Sequence, residues 1–79
     1  MTTVKIKQET VIGETPEFDK VFFEYLDEYS ITYKVLEEKG EFGYPLVEYE
    51  GGPISLGNML REKFGLGVED IAQNHPEIF

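Results

Sequence analysis

Seventy-nine residues without a cysteine cannot build a disulfide framework, thiol chemistry or a cysteine-based zinc site. Sixteen acidic residues against seven basic ones give a net charge of −9, which repels nucleic acid and anionic membranes, so direct binding to either is not expected. A chain this short buries only about 60–65% of its unfolded surface, yet six Phe and five Tyr supply the apolar mass for one globular domain.

Val4, Ile6 and Gln8 alternate with Lys5, Lys7 and Glu9, the period of a half-buried strand. Residues 10–12 suit either its extension or a loop. Lys5 and Lys7 lead into polar residues, which is no leader pattern, and no run of about eighteen apolar residues follows. A soluble, cytoplasmic protein is the expectation.

Gly13-Glu14-Thr15 turns the chain into a helix predicted over 16–29. Thr15 is a good N-cap, Pro16 suits the first helical position, and Glu17 complements the helix dipole. At about 100° per residue, Phe18, Val21, Phe22, Tyr25, Leu26 and Tyr29 share one side, opposite Asp19, Lys20, Glu24 and Asp27. Phe23 falls off that stripe, beside the acidic face, as an exposed residue, a second packing contact or a partner contact.

Ser30 breaks the helix, and residues 31–36 read as a β-branched and aromatic strand. A charged, glycine-bounded connection follows, then a strand over 46–50. Gly51-Gly52 reads as a hairpin turn returning through a short strand at Pro53-Ile54-Ser55. A second helix is expected from 56 or 57 to 64, with Leu56, Met59, Leu60 and Phe64 inward and Gly65 as its stop. One or two further helical turns fit 68–73, and His75-Pro76 reads as a solvent-facing turn.

This order, β-α-β-β-β-α, resembles the thioredoxin superfamily, and the residues are most similar to glutaredoxins and small NrdH-type redoxins. Thr15-Pro16-Glu17-Phe18 stands where such proteins carry Cys-Pro-Tyr-Cys. Tyr44-Pro45-Leu46-Val47 resembles their Thr-Val-Pro-x-Val signature, and 51–60 resembles their last hairpin and helix. The resemblance implies an α/β (α+β sandwich) fold: a four-stranded mixed sheet lacking the middle helix. It further implies a cis bond before Pro45 and a single domain with its core over 3–65 and an extension over 66–79, while the order of the elements itself gives a right-handed βαβ unit with two parallel strands. Catalysis is not implied, because a threonine hydroxyl has no redox couple and Phe18 cannot resolve a mixed disulfide.

The resulting expectation is a non-enzymatic protein-binding module without a cofactor, engaging a partner with a basic surface. By analogy with small phage products it would bind and inhibit or redirect a host protein in the host cytoplasm. Its surface would join Thr15, Pro16, Glu17, Phe18, Tyr44 and Pro45 to Asp19, Phe23 and Asp27. The alternatives are a redox-inactive redoxin that binds glutathione non-covalently and an acidic nucleic-acid mimic. Paired carboxylates such as Asp27/Glu28 and Glu69/Asp70 read as solvated charge, and a single histidine cannot build a metal cluster or a catalytic relay. The sequence leaves the oligomeric state open.

Overall fold

In the computed structural model, which describes residues 2–78, the chain runs β1 (Val4–Glu9), α1 (Pro16–Glu28), β2 (Thr32–Glu37), β3 (Leu46–Gly51), α2 (Pro53–Lys63), α3 (Val68–Asn74) and a closing 3-10 turn, Pro76–Ile78. The strands form one antiparallel sheet of three, in the order β1-β3-β2. Along β3 the side chains alternate strictly, with Val47, Tyr49 and Gly51 buried and Leu46, Glu48 and Glu50 only half-buried. Ile6 and Tyr33 both pair with Tyr49, so they share its helix-facing side. On the other face Lys7, Glu48 and Lys34 stand in one row, and Lys5 pairs with Glu50. One apolar face and one charged face is the arrangement an antiparallel sheet permits.

This sheet overturns the four-stranded mixed fold expected from the resemblance. β1 and β2 do run parallel, but β3 lies between them, so they are not neighbours. The physical reason is burial. β3 has a buried residue at every second position, whereas β2 is exposed at five of its six, so β3 takes the centre and the lysine-bearing strands take the edges.

The fourth strand does not form. Pro53, Ile54 and Ser55 are the first turn of α2, with Gly52 in an extended N-cap conformation and the Leu56 N–H donating to the Gly52 carbonyl at 3.0 Å. Proline has no N–H for a ladder, and its fixed φ suits a helix start. Gly51 continues β3 and lets it pass Ile31, whose Cγ1 would stand 3.2 Å from any Cβ placed there. Among the described residues no peptide bond is cis, so Pro45 is trans; its carbonyl accepts the Thr10 N–H at 2.9 Å.

The core gathers around Tyr49. Phe22 meets its ring edge-on at 6.2 Å and Phe64 approaches at 6.4 Å. α2 contributes Leu56, Met59 and Leu60, all fully buried. Each such side chain stabilises the fold by about 1.5–3 kcal/mol relative to exposure. The segment read as an extension supplies Ile71 to this core, and Ile78 packs against it.

α1 starts at Pro16, as its cap residues dictate, and stops at Ser30, which adopts a left-handed φ of 57°. Its buried residues are Phe22 and Leu26, while Phe18, Val21 and Tyr29 of the expected stripe are largely exposed. The helix is rotated toward Phe23, whose ring stacks on Tyr33 at 4.9 Å and 16°. α1 and α2 also meet through the Tyr25 hydroxyl, which donates to Glu62 at 2.9 Å. Beyond the end of α2, Gly65 turns the chain with φ 67°, and the Leu66 N–H reaches the Leu60 carbonyl at 3.1 Å.

Candidate functional site

Of the nine residues expected to form one binding surface, Phe18 borders one cavity and Phe23 and Asp27 border another. At the start of α1, Thr15 has the extended backbone of an N-cap, but its hydroxyl makes no capping bond. Asp19 turns back to accept the Gly13 N–H at 2.8 Å and so holds the turn in front of the helix. Glu17 lies exposed in the first turn. Phe18 stacks on Phe22 at 5.9 Å and, with Thr10, Val11 and Phe64, borders a small cavity of about 120 Å³. Thr10 also bonds Pro45, and the Glu9 carboxylate accepts the Tyr44 N–H at 3.3 Å. Phe18, Tyr44 and Pro45 are therefore tied to the same end of β1.

Phe23 and Asp27 follow Asp19 at four-residue steps along α1. Together with Leu26, Ile31, Thr32 and Tyr33 they line a shallow groove of about 350 Å³ alongside β2. The floor of this groove is the Phe23–Tyr33 stack, and Asp27 is its charged rim. Its continuation along the strand is apolar, since Tyr33 and Val35 are each 46% exposed. Both point to the helix side of the sheet, by their pairing with Tyr49 and Val47, yet no helix covers them fully. These two residues were missed as surface candidates. Their signal was available only once β2 was known to be an edge.

A third feature is an apolar groove of about 310 Å³ between α2 and α3, lined by Ile54, Val68, Ile71 and Ile78, with Arg61 beside it. Ile54 is 81% exposed.

The perturbed titratable groups are each explained by packing. Tyr49 is pushed up to about 12 by burial, with the Thr10 hydroxyl pulling the other way. Tyr25 is likewise raised to about 12, by burial first and then by its hydrogen bond to Glu62. His75, expected in solvent, is instead buried, and its Nε2–H donates to Gln8 Oε1 at 2.9 Å. Burial lowers its pKa, while nearby Glu77 acts in the opposite sense. Among the described residues no three His, Cys, Asp or Glu side chains gather as metal ligands, and no helix is long and apolar enough to cross a membrane.

Comparison of the chain with protein-family models, with curated proteins and with solved structures gives no match. The sheet order removes the fold that the redoxin resemblance implied, and no kinship replaces it. The bond before Pro45, which that resemblance implied to be cis, is trans.

Proposed function

We propose that this protein is a binding module for another protein carrying a basic segment, without chemistry of its own. The observation that carries this reading is the groove beside β2, where Phe23, Tyr33 and Asp27 set an aromatic floor against a carboxylate rim. Aromatic residues are enriched in interface cores, and an exposed apolar strip next to them marks a place where water is readily displaced. A net charge of −9 attracts basic partners and speeds encounter with them. Catalysis has little to draw on: there is no cysteine, and the one histidine is engaged with Gln8.

A photo-crosslinking side chain at Asp27, compared with the same group at exposed Glu69 on α3, tests this reading in lysate. A basic protein joined at position 27, absent at 69 and reduced by salt, is the expected product. Equal products from both positions, or none from either, would reject the groove as a binding surface.

A further inference from the structure

We infer that the basic segment binds as an added β-strand along the open edge of β2, an inference that rests on the protein-binding reading above. β2 pairs with β3 on one side only, and none of the other backbone hydrogen bonds among the described residues involves positions 32–37. Half of its N–H and C=O groups therefore point away from the sheet, a template that another extended chain satisfies better than water-exposed side chains can. The two edges differ. β1 carries Lys5 and Lys7, the usual guard against edge pairing, and the Pro76–Ile78 turn packs beside it. β2 carries only Lys34, between the exposed Tyr33 and Val35.

Charge then selects the occupant. Asp27 borders the Thr32–Tyr33 end of β2, and Glu37 and Glu38 stand at the other. A second copy pairing antiparallel about a two-fold axis would bring these acidic ends together, between molecules each of charge −9. Centred on Lys34, it would also set that lysine against its own copy. A segment with basic flanks has neither conflict.

The alternation of β2 dictates the middle of that segment. Residues opposite Tyr33 and Val35 share their half-covered apolar face and should be aliphatic, while the residue opposite Lys34 should be neutral. The irregularity between Val35 and Glu37 limits the regular stretch at that end. Arg-Lys-Val-Thr-Val-Lys-Arg, running antiparallel with its Thr opposite Lys34, meets each requirement.

That peptide, capped at both ends, is the probe, and a copy N-methylated on its two valines is the control. N-methylation keeps charge and side chains but removes the backbone donors. Strand addition predicts amide shifts and slowed hydrogen exchange at residues 32–36, and binding at least about tenfold weaker for the methylated peptide. Val35→Lys, an exposed change that leaves the core intact, should abolish the exchange protection while the circular dichroism spectrum stays unchanged. If both peptides bind equally, with shifts confined to Phe23 and Asp27, strand addition is wrong and the protein-binding reading stands. If neither binds, the inferred occupant is wrong, and the crosslinking result alone decides the broader reading. Concentration-dependent dimerisation with protection of 32–36 in the absence of peptide would overturn the choice of occupant in favour of a second copy.

Discussion

The hydroxyls of Thr10 and Tyr49 lie 2.6 Å apart in the interior. Both residues are buried, Thr10 at 3% exposure and Tyr49 at 0%. Thr10 also reaches the Gln8 carbonyl at 3.2 Å, so the pair closes the end of β1 over the central ring of the core. Removing the Thr10 hydroxyl strands that of Tyr49, whereas Thr10 keeps the Gln8 carbonyl when Tyr49 loses its own. Thr10→Val is expected to cost about 1–3 kcal/mol, because the Tyr49 oxygen is left dry and unpaired. Tyr49→Phe in the same background should restore part of that loss. Urea midpoints for the two single variants and the double variant measure the coupling; strict additivity would show that the hydroxyls do not interact.

Tyr49 also makes the fold alkali-sensitive. Its folded pKa of about 12 lies above the ordinary 10, so the folded state holds its proton where the unfolded chain releases it. Stability from the neutral ring is full below about pH 10 and declines as pH rises toward 12. Tyr49→Phe should lose less stability between pH 9 and 11 than the natural chain, by denaturant titration at each pH. An identical decline would assign the sensitivity to other groups.

His75 does the same at the acid side. Burial holds its imidazole below the ordinary 6.5, so the unfolded chain takes up the proton first. The contribution of the neutral ring is full above about pH 6.5 and is lost as pH falls toward the folded pKa. His75→Gln should be less stable at pH 7.5, since the buried site is refilled imperfectly, but should fall less between pH 7 and 5.5. Parallel curves for the two proteins would mean that His75 does not titrate in this window.

What could be read beforehand was local. The Thr15-Pro16 start of α1, the Gly65 end of α2 and the alternation of Val4 and Ile6 depend on near neighbours, and each lies where expected. Gly51-Gly52-Pro53 was ambiguous in principle, since two glycines before a proline suit a hairpin and a helix cap alike. Gly51 runs on as strand beside Ile31, 20 positions away in the chain, and α2 starts at Pro53. The burial of His75 depends on Gln8, at a separation of 67. Strand order is likewise non-local, and with it went the recognition that β2 is an edge. Phe23 shows the consequence for the site: off the stripe by periodicity, it became a floor residue only because Tyr33 stands beneath it.

Glu9 organises the connection between β2 and β3, and this can be broken from either side. Its carboxylate accepts the Phe42 N–H, with its two oxygens at 3.0 and 3.1 Å, and the Tyr44 N–H at 3.3 Å. The loop closes on itself through the Gly40 N–H to the Tyr44 carbonyl at 2.6 Å. A Cβ at Gly40 would stand 2.5 Å from Glu9 Oε1, so Gly40→Ala must push the carboxylate away. Glu9→Ala and Gly40→Ala should therefore give one phenotype, faster hydrogen exchange at Phe42 and Tyr44. Because the loop is exposed, each should lower global stability by no more than about 1 kcal/mol. Combined, the two changes should accelerate exchange little beyond either alone, since both remove the same acceptor. Multiplicative acceleration in the double variant would show that Gly40 matters for its own backbone and not for the room it leaves to Glu9.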